Sequence, residues 1–162
     1  MDSYLLLKWA HIISSTLLFG TGLGTAFHGW MAQRSRDLHV MAVVGRNVVL
    51  ADWLFTAPAV VLQPVTGLAL AKLGGVPLDS PWLLAAMGLY LLVGVCWLPV
   101  VWLQTRMHRM AAAALVRGEP LPLRYHHYAR LWFALGWPAF LGVLAIFWLM
   151  VAKPDLSLTL AG

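Results

Sequence analysis

The sequence predicts an all-α integral membrane protein, a four-helix bundle, and three observations carry that prediction. Of its 162 residues 61% are hydrophobic and only 10% are charged, with a mean hydropathy of +0.79, which lies outside the range of water-soluble domains. Four apolar stretches, at roughly 4–30, 48–73, 82–104 and 130–152, each reach the ~20 helical residues that a hydrocarbon core demands. The connections are short or amphipathic and no internal repeat is evident, so one transmembrane domain takes in residues 1–162. In lipid every backbone group must be paired within its own segment, which makes the spans helices.

The first span begins near Asp2, and its apolar run exceeds the ~7–15 residues of a signal peptide; it is expected to be retained. It carries Lys8 and His11. Helical spacing puts Ser15, Leu18 and Gly22 on the His11 face. Gly20 and Gly24 form a GxxxG pair with His28 on the same ridge, which predicts either a close helix contact within the chain, a homo-oligomer contact, or room for a flat cofactor.

In the second span Asp52, Thr56, Ala59, Gln63 and Thr66 recur at helical spacing and define one polar face. Such residues join helices by hydrogen bonds. Asp52 is the acid within a span, near the expected level of His28, Arg46 and Arg106, so an ion pair or a proton relay among these four is expected. In the third span Met87, Tyr90, Gly94, Trp97, Val101 and Gln104 share a face. Met87 and His11 are each expected ~10 Å below the same membrane edge, where a His and a Met can hold a haem iron or a soft copper ion; a backbone carbonyl or a threonine would equally satisfy a membrane histidine. Nine tryptophans mark the chain. Most of them, Trp132 included, fall near expected helix ends as an interfacial belt, whereas Trp97 and Trp137 lie deeper and suit either packing or a planar cofactor.

The connections set the orientation. Arg34, Arg36 and Arg46 follow the first span, and Arg106, Arg109, Arg117, Arg124 and Arg130 follow the third, against Lys72 alone between the second and third. The positive-inside rule then places both basic connections in the cytoplasm and both termini outside. The same distribution explains the net charge of +5 as contact with lipid headgroups and argues against nucleic acid as a partner. His39, His108, His126 and His127 belong to these basic stretches, and adjacent histidines on a helix diverge rather than converge on a metal. Cys96 is the single cysteine, so no intrachain disulfide forms. No CxxC, HExxH, phosphate-binding loop or nucleophile elbow occurs, which excludes the corresponding hydrolytic and nucleotide-driven chemistries.

These residues resemble a known family. Lys8-x-x-His11-Ile12-Ile13, Ala57-Pro58-Ala59-Val60-Val61-Leu62 with Gly67-Leu68 after it, Arg124-Tyr125, Arg130-Leu131, Pro138 and Lys153-Pro154 are similar in order to HemJ-type protoporphyrinogen oxidases, small four-helix haem b membrane proteins. The third span departs from that pattern, with Trp82-Leu83-Leu84-Ala85-Ala86-Met87 standing where the family carries a histidine and a lysine. The departure argues against the oxidase activity. The runs Phe55 to Pro58 and Trp97 to Gln104 look closer to an uncharacterised family of integral membrane proteins related to HemJ, to small cytochromes b and to copper-resistance proteins.

The resemblance implies haem b ligated by His11; equal depth in the bundle, and not the resemblance, makes Met87 the candidate second ligand. Lys8 and Lys153 at the outer edge would meet the propionates, and Ser15, Gly22, Gln63 and Trp97 would line the site. The expected role is electron transfer or a related oxidation with a quinone or periplasmic redox partner. Whether the chain is itself an oxidoreductase stays open. The alternatives are a copper-handling permease using His11 and Met87, and a noncatalytic subunit or assembly factor of a respiratory complex.

Overall fold

The computed structural model describes residues 2–154, so Met1 and residues 155–162 of the expected 1–162 domain lie outside the described residues. Within them the chain forms four helical rods. The first is α1 (Ser3–Ser35). The second joins α2 (Leu38–Ala51), a single π turn (Asp52–Thr56) and α3 (Ala57–Leu73) without interruption. The third and fourth are α4 (Pro81–Arg117) and α5 (Leu123–Ala152).

Three of the rods, Leu38–Leu73, Pro81–Arg117 and Leu123–Ala152, are long and apolar enough to cross a membrane. At 33 residues α1 has the length, but the serine, threonine, glycine and histidine spread along it dilute its apolar character. All four rods outrun the apolar stretches that announce them, because the basic connections are themselves helical. The first connection shrinks to two residues, with Arg36 in the left-handed region at φ 55° and the Asp37 carboxylate capping α2 through the His39 and Val40 amides. Gly118, at φ 65°, closes α4, and the Glu119 amide donates back to the Ala114 carbonyl.

The basic end is where the bundle is dense. There α2, α4 and α5 bury Met41, Ala42, Leu103, Met107, Ala111, Tyr125, Ala129 and Trp132 in one cluster. At the opposite end α1 packs along α3, and α4 along α5 through Leu83, Ala86, Gly142 and Leu149. Proline shapes the join between the pairs. Pro64 has no N–H, so the Val60 carbonyl one turn earlier loses its helical donor, and the Tyr90 hydroxyl of α4 donates to it instead.

The GxxxG ridge does not make the intrachain contact expected of it. A methyl added at Gly20, Gly22 or Gly24 would meet nothing within 4 Å. The close approaches fall at other glycines. A methyl added at Gly29 would stand 3.2 Å from the Trp132 ring, and one at Gly67 would stand 3.2 Å from His11 Cε1. A small residue permits a close contact only where a neighbour actually crosses, and α1 is crossed above and below this ridge.

Candidate intramembrane site

Two polar clusters occupy the interior. The first clasps α1 to α3. His11 Nδ1 lies 2.7 Å from Thr66 Oγ1, and the Thr66 hydroxyl is 2.6 Å from the Leu62 carbonyl of its own helix. A hydroxyl has one proton to give. With that proton on Leu62, Thr66 accepts from Nδ1–H, which leaves the Nε2 lone pair of the imidazole unprotonated. Beside them the Gln63 amide donates to the His11 carbonyl at 2.8 Å and to Ser14 Oγ at 2.6 Å. Gly67 completes the seat, since the His11 ring rests where its side chain would stand.

The second cluster centres on Asp52. The π turn admits one extra residue into the second rod, a distortion often found at functional sites, and it buries both Asp52 and Thr56. Thr56 Oγ1 donates to one carboxylate oxygen at 2.8 Å and the Gln104 amide of α4 donates to the other. Gln104 in turn accepts from the Trp132 indole N–H of α5 at 3.3 Å. Three rods are thereby tied to one carboxylate. Asp52, Thr56 and Gln104 form the polar wall of a cavity of ≈ 450 Å³ between α1, α4 and α5. The rest of its lining mixes aromatic rings, Phe19, Trp97, Trp132, Trp137 and Phe140 among them, with small and aliphatic residues, and Gly22 and Gly136 leave open space along it.

The expected site residues thus divide between two places. Gln63 joins His11 in the clasp, while Gly22, Trp97 and Asp52 border the cavity. Ser15 turns back onto the Ile12 carbonyl of its own helix, and its neighbour Ser14, 3% exposed, is the buried partner. Met87 is 41% exposed on α4, and among the described residues the hydrogen bond that the His11 ring makes is to Thr66. Lys8 is exposed, and Lys153 lies over the Trp82 ring at 5.8 Å, both at the end opposite the basic one.

The ion pair expected at Asp52 is replaced by neutral donors. Arg46 and Arg106 are exposed, Arg106 lies over the Trp102 ring, and His28 Nδ1 is 3.2 Å from the Gly24 carbonyl. The reason is depth: the π turn carries Asp52 inward, and the long arginines follow their heads outward to water. The sequence reading passed over Ser14 and the role of Trp132. The signal for Ser14 was its place three residues after His11, one turn along the same face. A fourth span that starts at 130 puts Trp132 at the interface, whereas α5 starts at Leu123 and carries the ring into the core.

Among the described residues no three His, Cys, Asp or Glu side chains converge as a metal site would require. The model of a family described as a predicted integral membrane protein family, DUF2269, matches residues 5–154. No curated protein and no solved structure matches the chain.

Proposed function

This chain belongs to the DUF2269 family of predicted integral membrane proteins, and on that premise we propose that it is a four-span bacterial inner-membrane protein with both termini outside, holding a lipid-soluble redox ligand of the quinol class. The cavity at Asp52 carries the reading. Its ≈ 450 Å³ falls within the range of small-molecule sites, which are apolar with a few placed polar groups. Aromatic walls suit a flat ring, and one carboxylate, held by Thr56 and Gln104, is the group that accepts a hydrogen bond from a quinol hydroxyl. Burying that carboxylate without a cation is costly in lipid, which favours a functional rather than a purely structural use.

The test uses the tryptophans that line the cavity. Titrating the detergent-purified protein with a short-chain quinol or quinone should quench their fluorescence saturably. Gly22→Leu and Gly136→Leu each fill space that is open now, and each should turn the curve into the linear quenching of simple partition. Saturable quenching that both variants leave unchanged sinks the reading.

A haem b reading stands second, favoured by His11. Thr66 fixes the tautomer and leaves Nε2 free, as a hydrogen-bond acceptor on the other ring nitrogen does for a ligating imidazole. His11 would hold the iron, with Lys8 and Lys153 at the same end for the propionates. A haem would supply a one-electron centre, while Thr66, Gln63 and Gly67 orient the imidazole and hold its proton on Nδ1. The wild type purified from haem-sufficient cells should show a Soret band that shifts with dithionite and is lost in His11→Ala; a colourless preparation ends this reading. The copper alternative retains His11 as its single placed donor.

A further inference from the structure

A second hollow lies outside the bundle, between α3 and α4. It is an open groove of ≈ 560 Å³ whose walls are Ala57, Val60 and Val61 on one side and Trp97, Leu98 and Val101 on the other. Arg106 and Arg109 stand at one end of it. From Trp97 to Arg109 the helix rises ~18 Å, close to the ~15 Å of hydrocarbon in one leaflet. The groove is therefore as deep as a lipid tail is long, with its charge at the headgroup level.

Both arginines are exposed. Among the described residues the one ion pair is Arg117 with Glu119, at 3.7 Å, so neither Arg106 nor Arg109 meets a carboxylate. Three residues apart on a helix, they share a face. The Arg106 guanidinium lies 5.4 Å from the centre of the Trp102 ring, which orients its donors, and Thr105 is turned away onto the Val101 carbonyl. Two forked donors beside an apolar trough match a phosphodiester with an acyl chain attached.

We propose that this groove holds one anionic phospholipid of the basic-side leaflet, its phosphate on Arg106 and Arg109 and one acyl chain along Val60, Val61 and Val101. The lipid is anionic rather than zwitterionic because two positive groups face one phosphate, and the ammonium of a zwitterion would add to their mutual repulsion. The site is independent of the quinol cavity, from which Trp97 separates it.

The experiment is native mass spectrometry of delipidated full-length protein in detergent, titrated with phosphatidylglycerol, with phosphatidylethanolamine and with inorganic phosphate. Phosphatidylglycerol should bind saturably, and at least about tenfold more tightly than phosphatidylethanolamine. At ~1 kcal/mol for each arginine at a membrane surface, the Arg106→Gln/Arg109→Gln double variant should bind about thirtyfold more weakly. Val61→Trp keeps both charges but fills the exposed trough, and should lose the lipid too. Equal binding of the two lipids, or wild-type affinity in both variants, overturns the proposal. So does binding of phosphate alone as tight as that of phosphatidylglycerol.

Discussion

At the basic end three helices interdigitate around Met107, Ala111, Tyr125 and Trp132; at the opposite end α1 is held to α3 by His11, Ser14, Gln63 and Thr66. The two ends face different solvents. Where α2, α4 and α5 run past the bilayer, water drives apolar side chains together, and burial there is rewarded. Inside the hydrocarbon a leucine gains nothing by leaving lipid for protein, so helices associate through hydrogen bonds and close contacts at small residues. The clasp and the glycine seat at Gly67 are that second kind of adhesive. A bundle tightly packed at one end and pinned by a few polar atoms at the other leaves a hollow between them, and the Asp52 cavity lies there.

The comparison breaks most readily at Trp132, which belongs to both regions. Its ring fills the basic-end core and rests on Gly29, while its N–H holds Gln104 against Asp52. Trp132→Ala should cost about 3–5 kcal/mol, read as the free energy of unfolding in a dodecyl sulfate titration. It should also release the Gln104 amide and weaken quinol binding. A loss under 1 kcal/mol would mean that the core is not what holds this end. Overpacking the same region comes next. Ala111 is fully buried, and Ala111→Leu forces three extra carbons between α2, α4 and α5, for about 1–3 kcal/mol.

The clasp should respond less. Gln63→Leu removes two interhelical hydrogen bonds and keeps the side-chain volume; at ~0.6 kcal/mol each on average and up to ~1.7, the loss should be about 1–2 kcal/mol in the same titration. It should leave the midpoint of α2–α4–α5 unfolding, followed by hydrogen exchange at Ala111 and Tyr125, where it was. Coincident loss at both ends would show one cooperative bundle rather than two regions.

Much of this was legible in the residues. The Asp52, Thr56, Ala59, Gln63 and Thr66 spacing marks a face that is indeed the inward one, because a polar stripe in an apolar helix has nowhere else to go. His11 reads as a bundle residue for the same reason. Of the three uses that the GxxxG pair allows, close packing within the chain is the one it does not serve, because a small residue licenses a contact without supplying a neighbour. Met87 was the least legible, because equal depth along two helices says nothing about azimuth; it is 41% exposed on α4. The π turn and the helical extensions are set by tertiary packing, and no local pattern announces them; with them went the partners of Asp52 and the burial of Trp132.

The finest discrimination lies between two adjacent serines. Ser14 accepts from Gln63 across the helix interface, whereas Ser15 donates to the Ile12 carbonyl, which Thr16 already shares. Ser14→Ala should cost about 0.6 kcal/mol, the average interhelical hydrogen bond in lipid, since Gln63 keeps its bond to the His11 carbonyl. Ser15→Ala should cost nothing measurable, because alanine is the better helix former and no second helix loses a partner. Combining Ser14→Ala with Gln63→Leu sharpens the point: if the serine acts through that one bond, its effect vanishes once Gln63 is gone, and the double variant matches Gln63→Leu alone. A fully additive pair would place the contribution of Ser14 in its own helix and remove it from the clasp.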